Sequence, residues 1–400
     1  MVMNNKLNVL FLTFWSPPLV RPRAIVIGKL MPEFIRQGIS PVIITYENGG
    51  QWQIGVPKYR IPQFRENKFL SAIKLRSISK YLYYRMIRRL GEELIKRYKI
   101  DVIFSFSNPQ ESNIAGAMLG KKTGVPFVSY FSDPWYDSSY KKFSKLAAWK
   151  VLQLERFIIK NSERALFINQ AERDLIMKKF PSGWLQKTGV VRHCYDPSDY
   201  PPTQKSSGGK FIFSHVGAFY KQREPDIFFK AVVEAIKREP SLRSKIKIQL
   251  VGGVNDYFLY PVQMLNAAIE KYELQDLIET QPPVEYKKSL EYMKLADCLF
   301  AIDADVPGSI CSPSKLFDYA GSGTPIIGIT PTNSPTHEFL SNLGYQSFNY
   351  NQIDELADYI RGLVNKKIVL TPNQEYLKNF EVKHITSRYI NVFREVAAQK

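Results

Sequence analysis

Cysteine and histidine are scarce in this chain of 400 residues, which has three cysteines and four histidines. Cys194, Cys298 and Cys311 are odd in number and far apart, which argues against a disulfide framework and indicates a reducing compartment. The histidines are scattered and no Cys-x-x-Cys pair is present, so the composition also argues against a structural zinc site.

Long apolar runs are also lacking, since none approaches the roughly 20 residues that a membrane-spanning helix needs. The apolar start LNVLFLTFW, from Leu7 to Trp15, is followed by SPPLVRPR and not by a small-residue cleavage site. This run therefore predicts a first buried strand and not a signal peptide. We expect a cytoplasmic protein, or one bound peripherally on the inner face of the cytoplasmic membrane.

Acidic residues are too few to balance the basic ones. Lysine and arginine together number 55 against 37 aspartates and glutamates, which gives a formal net charge of +18. Such a charge predicts attraction to an anionic partner, which can be nucleic acid, an acidic lipid surface or a charged glycan. Because the chain has no RNP-type aromatic motif, suitably placed Gly-x-x-Gly clamp or zinc finger, we expect no nucleic-acid partner.

The alternation of apolar runs with amphipathic stretches predicts an α/β protein with two domains. Strands are predicted at 8–13, 41–46, 101–105, 127–130, 165–168 and 189–192. The segment HCYDPSDYPPTQKSSGG then resembles an interdomain linker. Further strands follow at 211–216, 246–251, 279–280, 298–302, 325–329 and 345–348, with helices at 226–238 and 262–272. The predicted domains are 1–200 together with a C-terminal helix at 383–400, and 201–382.

The region from Lys68 to Tyr98 is both basic and aromatic. Its apolar residues approximate helical spacing, namely Leu70, Ile73, Ile78, Leu82, Met86, Leu90 and Leu94. One interpretation is a helix on an anionic membrane surface, with Tyr81, Tyr83 and Tyr84 near the headgroups. The other is a helix packed on the core whose charged side faces solvent.

Three loops in the second half lie where parallel sheets bind ligands, beyond the carboxyl ends of strands. In HVGAFYKQREP, Gly217 allows close approach of a ligand, and Lys221 and Arg223 lie before a helix, which suits a diphosphate. The alternative is a tight turn with solvated bases.

The segment SPSKLFDYAGSG predicts a helix that starts at Pro313 and Ser314. Its first amides, at Ser314, Lys315 and Leu316, together with the Lys315 side chain, can bind phosphate, and Asp318 can accept hydrogen bonds from a ribose diol. The alternative is an ordinary capped surface helix. In QPPVEYKKSLEYMKLAD, the backbone near Pro283 and Val284 can recognise a base edge.

Several segments of the sequence resemble those of a known protein family. The run PSKLFDYAGSGTPII is similar to the donor-site signature of glycosyltransferase family 4, whose members have the GT-B fold and use nucleotide sugars. The stretches FWSPPLVRPRAIVIGKLMPEFIRQGISPVIIT, VVRHCYDPSDY, VGAFYKQREPDIFFKA and ADCLFAI resemble other family segments in the expected order. The resemblance implies two Rossmann-like domains facing a central cleft, with the C-terminal helix packing back on the N-terminal domain.

The resemblance also implies roles for particular residues. An acid at the place of Asp318 binds the ribose, while a base at Arg223 and the amides at Ser314 to Leu316 hold the diphosphate. Typical members also have an Arg and a Lys about five residues apart in the first loop of the second domain, and a Glu eight residues before the ribose-binding acid. Phe228 and Ile310 occupy those places here, and we expect Lys221 or Lys315 to replace the absent lysine.

In the first half, YFSDPWYD resembles an Asp-Pro-Trp segment that faces the cleft in related enzymes. Asp133 would orient the acceptor hydroxyl or the sugar, and Trp135 would stack on a ring; alternatively, Asp133 caps a turn. Arg21 and Arg23 either contact donor phosphates or an anionic acceptor, or are solvated.

The triplet Asp303-Ala304-Asp305 matches the Asp-x-Asp motif of metal-dependent transferases. The other signals are those of the metal-independent fold, so we expect no metal.

The resemblance therefore predicts a retaining glycosyltransferase that needs no cofactor. It would move a sugar from a nucleotide-diphosphate sugar, UDP favoured over GDP, to a hydroxyl of a glycan or lipid-linked saccharide in cell-surface polysaccharide or glycoconjugate assembly. Asp133, Arg223 and Lys315 are the expected catalytic residues. The alternatives are a nucleotide-sugar 2-epimerase and a non-catalytic scaffold.

Overall fold

The chain forms two compact units. Unit 1 comprises Met1–His193 and Val382–Lys400, and unit 2 comprises Cys194–Glu381. The computed structural model describes residues 6–18, 21–46, 54–64, 76–137, 143–203, 209–252, 260–306, 309–310 and 312–399.

Unit 1 is built on a parallel sheet. In the described part of the chain its strands are β1 (Leu7–Leu12), β2 (Ile39–Tyr46), β3 (Lys58–Ile61), β4 (Val102–Phe106), β5 (Phe127–Phe131), β6 (Arg164–Phe167) and β7 (Thr188–Val190). They lie in the order β3-β2-β1-β4-β5-β6-β7. The inner strands are continuous apolar runs, as expected where helices cover both faces of a sheet. β3 was missed because it is short and carries Lys58 and Arg60, which suits an edge strand.

The helices of unit 1 alternate with its strands. They are α1 (Pro22–Arg36), α2 (Arg76–Tyr98), α3 (Glu111–Thr123), α4 (Lys145–Lys160), α5 (Gln170–Met177) and, after unit 2, α14 (Val382–Ala398). A 3-10 helix covers Ser182–Lys187. Local sequence sets several ends: Ser144 and Asn169 accept backbone hydrogen bonds at the starts of α4 and α5, and Gly124 ends α3 in the left-handed region.

Helix α2 packs on the core with only part of the predicted apolar stripe, which includes Leu90 and Leu94. Tyr83, Ile87 and Leu94 are buried, whereas Leu82 and Met86 are 50% and 38% exposed. The placement of Tyr83 near lipid headgroups is therefore wrong, and Leu82 and Met86 are not part of the face that packs on the core. The buried face also includes Gly91, where an added Cβ would lie 2.6 Å from Leu119 of α3, so the two helices approach closely there. Residues 68–75 of the predicted helix lie outside the described residues.

Helix α14 packs against α1 and β4, which confirms the predicted return of the C-terminal helix to the N-terminal domain. The Phe393 ring lies 5.0 Å from Phe104 and 5.8 Å from Phe34, measured between ring centroids. Gln37 adds polar contacts, since its amide donates to the Lys383 carbonyl and accepts from the Ser387 hydroxyl.

Unit 2 repeats the plan with a second parallel sheet. Its strands within the described residues are β8 (Phe211–Val216), β9 (Ile246–Val251), β10 (Ile278–Gln281), β11 (Cys298–Ile302), β12 (Ile326–Ile329) and β13 (Ser347–Phe348). They lie in the order β10-β9-β8-β11-β12-β13. Strands β8, β9 and β11 have the predicted bounds.

The helices of unit 2 cover this sheet. They are α6 (Asp226–Arg238), α7 (Leu242–Lys245), α8 (Val262–Lys271), α9 (Tyr286–Leu295), α10 (Ser314–Gly321), α11 (Pro335–Asn342), α12 (Ile353–Val364) and α13 (Gln374–Lys378). A 3-10 turn covers Pro197–Asp199.

Each sheet reverses its strand order once, between β1 and β4 in unit 1 and between β8 and β11 in unit 2. At such a point the loops that follow the two central strands diverge to opposite faces and leave a crevice at the carboxyl edge. The residues that follow β1 and β4, and those that follow β8 and β11, are therefore placed to meet ligands.

We expect Phe393→Ala to destabilise unit 1 by about 3–5 kcal/mol, because the change leaves a cavity among buried aromatic rings. Urea denaturation followed by tryptophan fluorescence tests this, since all five tryptophans belong to unit 1. The control is Arg394→Ala at the neighbouring exposed position, where the expected change stays within about 0.5 kcal/mol. Equal stability of the two variants would contradict the packing of α14.

Candidate functional site

The carboxyl end of β8 in unit 2 is shaped by Gly217. Its φ is +130°, and its N–H donates to the carbonyl of Val251 at 2.8 Å. A Cβ at this position would lie 3.3 Å from Cδ and 3.5 Å from Nζ of Lys315. The Lys315 side chain therefore passes directly over the glycine, in a space that a larger residue would narrow.

Lys315 is held by His215, the next-to-last residue of β8. The lysine Nζ lies 2.9 Å from His215 Nε2, and His215 Nδ1 lies 3.0 Å from the carbonyl oxygen of Phe300. Because a carbonyl only accepts, Nδ1 carries the proton and Nε2 accepts from the lysine. Burial lowers the pKa of His215 well below its ordinary value, which agrees with a neutral ring.

Burial and the nearby charge of Arg223 lower the pKa of Lys315 to about 7, against a smaller opposing effect of Asp303. The lysine is thus an amine whose charge an anionic ligand can restore, since a nearby negative charge favours the protonated form.

Arg223 is anchored by a buried carboxylate. Its Nη2 lies 3.1 Å from Oδ1 of Asp303, which is fully buried at the end of β11. Asp303 also accepts hydrogen bonds from the Ala304 N–H (2.8 Å) and the Thr336 hydroxyl (3.0 Å). The sequence assigned no role to Asp303; the structure shows that it fixes the position of Arg223, while Asp305 is exposed.

Asp318 lies one turn into α10, as predicted, and is 95% buried. Its Oδ1 accepts from the hydroxyl of Tyr286 at 3.0 Å, and its backbone carbonyl accepts from the hydroxyl of Tyr200 at 2.8 Å. Burial and the charge of Asp318 raise the pKa of Tyr286, which therefore remains a hydrogen-bond donor. Sequence reasoning missed Tyr286, although its place as the first residue of the helix after Pro283 and Val284 is a usable signal.

The start of α10 differs in part from the prediction. The helix begins at Ser314, but the Leu316 N–H donates to the Pro313 carbonyl at 3.1 Å and the Leu316 side chain is buried in the core. The Leu316 amide is therefore engaged in the first turn of the helix. The amides of Ser314 and Lys315 lie where an α-helix provides no carbonyl acceptor.

Phe228 does not occupy a site position. It is fully buried in α6 and stacks on Phe300, with ring centroids 3.9 Å apart. Of the two candidates to replace the absent lysine, Lys315 lies beside Gly217, whereas Lys221 is exposed.

Pro283 and Val284 lie in the loop between β10 and α9. Gly252 borders them, since it has a φ of +68° and a Cβ there would lie 3.6 Å from the Pro283 Cα. Its N–H donates to the carbonyl of Gln281 at 2.8 Å. Pro283 is exposed and Val284 is half-buried, and their contact with a base stays a prediction.

In unit 1, Asp133 is exposed just beyond β5. Its Oδ2 accepts hydrogen bonds from Asn108 Nδ2 at 2.6 Å and from the Ser132 hydroxyl at 3.3 Å. Because Asn108 follows β4, the carboxylate is held across the ends of two neighbouring strands.

The rest of the Asp133 loop is fixed by Glu155, which is buried on α4. Its Oε1 accepts from the N–H groups of Trp135 (3.2 Å) and Tyr136 (2.9 Å), and its Oε2 lies 3.0 Å from Nζ of Lys179. Lys179 also pairs with Asp137. The half-buried Trp135 ring packs against the core of unit 1, a contact that the predicted stacking on a sugar ring did not anticipate.

Arg21 and Arg23 have different environments at the start of α1. The Arg21 guanidinium lies 4.9 Å from the centre of the Trp15 ring. Arg23 is 7% exposed and lies 5.2 Å and 5.3 Å from the ring centres of Phe106 and Tyr130. The alternative that both arginines are solvated is therefore wrong for Arg23.

We expect Lys315→Met to change how stability depends on pH. The folded-state pKa of about 7 lies below the ordinary 10.5, so between these values unfolding takes up a proton and the lysine makes the folded state more stable as the pH rises. Melting temperatures from pH 7 to 9 should therefore rise for the wild type relative to Lys315→Met. The exposed Lys221→Met is the control, and parallel curves for all three proteins would contradict the buried environment of Lys315.

Residues 24–182 match the model of the glycosyl transferase 4-like domain. A D-inositol 3-phosphate glycosyltransferase of Nocardiopsis dassonvillei is 24% identical over 88 residues, which are 22% of this chain and 20% of that protein. The matched segment thus spans about a fifth of this curated relative.

Solved structures match almost the whole chain. The Anabaena protein Alr3699/HepE in complex with UDP has a TM-score of 0.69 at 13% identity and covers 97% of this chain and 100% of its own. The lipopolysaccharide outer core galactosyltransferase WaaB has a TM-score of 0.65 at 14% identity, with the same coverage. Residues 24–182 therefore match a glycosyl transferase 4-like domain, and the whole chain shares the GT-B fold of these solved structures.

Proposed function

We propose that this protein transfers a sugar from a nucleoside-diphosphate sugar, preferably a UDP-sugar, to a hydroxyl of a glycan or lipid-linked saccharide. The observation that carries the proposal is the group of Lys315 and Arg223 at the strand-order reversal of unit 2, with the buried carboxylate of Asp318 on the same helix as Lys315. Cations suit a diphosphate, and a carboxylate suits the two hydroxyls of a ribose.

The main electrostatic demand of the reaction is the charge that grows on the departing diphosphate. Lys315 and Arg223 are fixed in place by His215 and Asp303, so they need little reorganisation when that charge appears. The amides of Ser314 and Lys315 at the start of α10 add positive potential. These groups support a reaction without a metal ion, and activity that persists in a chelator tests this.

The acceptor side of the reaction belongs to unit 1 in this proposal. The resemblance to family 4 implies retention of configuration, with front-face attack assisted by the departing phosphate. Asp133, held by Asn108 and Ser132, would then orient the acceptor hydroxyl more than act as a strong base. Trp135, on the same fixed loop, would border the sugar or acceptor.

The names of similar proteins support the substrate classes. One solved structure of the Anabaena protein contains UDP and glucose. Other similar proteins are named for lipopolysaccharide outer core and for D-inositol 3-phosphate. These names support our proposal that the reaction belongs to cell-surface polysaccharide or glycoconjugate assembly.

We expect Asp318→Ala to weaken binding of a UDP-sugar by about 1.5–3 kcal/mol, the range for lost hydrogen bonds to a charged group. Isothermal titration calorimetry measures this, with the exposed Asp305→Ala as the matched control. Because Asp318 also accepts from Tyr286, the variant Tyr286→Phe separates loss of the carboxylate from loss of its support. Unchanged affinity in Asp318→Ala would remove the ribose assignment.

Two other activities are separated by one further experiment. A nucleotide-sugar 2-epimerase acts on the donor alone, so NMR of the protein with each of several UDP- and GDP-sugars would reveal an epimer. A non-catalytic scaffold would bind none of these donors. Transfer of the sugar only when an acceptor is added supports the proposed function.

We further propose that α2 places the protein on an anionic membrane surface. No helix within the described ranges is long and apolar enough to cross a bilayer. Tyr81, Leu82 and Met86 are nevertheless exposed on α2, with Arg85 and Arg89 exposed beside them. Exposed apolar residues among basic ones are typical of helices that bind at the headgroup level.

The triple variant Tyr81→Ser, Leu82→Ser, Met86→Ser should lose most of its flotation with vesicles that contain phosphatidylglycerol. The matched control replaces Lys237 and Arg243, exposed bases of unit 2, with glutamate and should float as the wild type does. The proposal fails if the wild type does not float. It also fails if the triple variant floats as well as the wild type, because α2 then does not bind the membrane.

A further inference from the structure

Arg23 is a buried cation whose guanidinium is not satisfied by hydrogen bonds. It lies at the second position of α1, and its Nε and Nη1 are buried and have no hydrogen-bond partner among the described residues. The rings of Phe106 and Tyr130 flank it at 5.2 Å and 5.3 Å.

This arrangement costs free energy in the absence of a ligand. Aromatic faces stabilise a guanidinium in part, but they leave the N–H donors unsatisfied. A buried donor without an acceptor is rare and costly, and a buried charge more so. Such a residue is expected where an acceptor arrives from outside the chain.

The surroundings of Arg23 favour an anion. Arg23 lies in the first turn of α1, whose N-cap, Arg21, makes no capping hydrogen bond through its side chain. The first-turn amides and the helix dipole therefore add positive potential beside the guanidinium.

Glu172 is a buried carboxyl group whose pKa is affected by the charge of Arg23, but it is poorly suited to be the counter-ion of Arg23. Burial, and then the charge of Asp133, raise the pKa of Glu172 well above its ordinary value, although Arg23 opposes this. The Oε1 of Glu172 is buried without a partner in the described part of the chain, and the protonated form that burial favours has an O–H to donate. Gln110 Nε2, which follows β4, is a further buried donor without a partner among the described residues.

We propose that Arg23 binds an oxyanion, a phosphate or carboxylate group, that belongs to the acceptor, an inference that rests on the proposed function. Arg23 packs on Phe106, the last residue of β4, and on Tyr130 of β5. Asp133 is held by Asn108 and Ser132, which follow the same two strands, so both charged side chains lie at one edge of unit 1. Since Asp133 is the proposed acceptor residue, the anion belongs to the same molecule. The other source of an oxyanion is the donor diphosphate.

The first test is thermal unfolding in inorganic phosphate, followed by tryptophan fluorescence, which reports on unit 1. Phosphate should raise the melting temperature of the wild type, and chloride at equal ionic strength should not. Arg23→Met should lose this response, with phosphate binding about tenfold weaker or worse, and should be at least as stable as the wild type without phosphate. Arg23→Lys, which keeps the charge, should retain part of the response.

Two results would overturn the phosphate site. One is an equal phosphate response in wild type and Arg23→Met. The other is a lower melting temperature of Arg23→Met without phosphate, which would make Arg23 a structural residue. If Arg23→Met does not fold, Arg23→Lys and Lys122→Met, a change at an exposed base of α3, supply the comparison, since Lys122→Met should keep the full response.

The second test identifies the source of the anion. Calorimetric titration with UDP should give the same affinity for wild type and Arg23→Met, and phosphate should still stabilise the wild type when UDP is saturating. A tenfold loss of UDP affinity in Arg23→Met, or loss of the phosphate response in UDP, would assign the anion to the donor and overturn the acceptor assignment. If UDP-sugars do not bind at all, the proposed function fails while the phosphate result stands by itself.

Discussion

The hydrogen bond between Lys315 and His215 is the interaction on which the proposed donor chemistry depends. It joins the start of α10 to the end of β8, and it places an amine with a pKa of about 7 beside the backbone of Gly217. In the neighbouring loop, the ion pair with buried Asp303 fixes the guanidinium of Arg223. Both cations are therefore fixed before a ligand arrives, so little of the binding free energy is lost to ordering them.

These contacts follow from the topology of unit 2. Parallel strands end at one edge of the sheet, and the reversal of strand order between β8 and β11 opens a crevice there. His215 and Asp303 lie at the ends of these two strands, which explains why residues distant in sequence support neighbouring cations. Unit 1 has the same topology, and its edge carries Arg23 and Asp133.

The sequence predicted most of this architecture because the inner strands are continuous apolar runs and the loops begin and end with Gly, Pro or helix-capping residues. It also predicted α10 with Asp318 one turn in, since the spacing is local. It could not predict that Asp303 would pair with Arg223 or that Tyr286 would support Asp318, because these are contacts between distant segments. Nor could it predict which face of α2 is buried, because apolar residues occur on both faces, so only tertiary packing decides between Leu82 and Tyr83.

The most direct measurement of the central claim is hydrogen–deuterium exchange of the protein with and without UDP. The account predicts slower exchange in unit 2 at residues 215–223 and 314–321, where the fixed cations and the first amides of α10 meet the diphosphate. Protection that is absent from these two segments, or confined to unit 1, would contradict it.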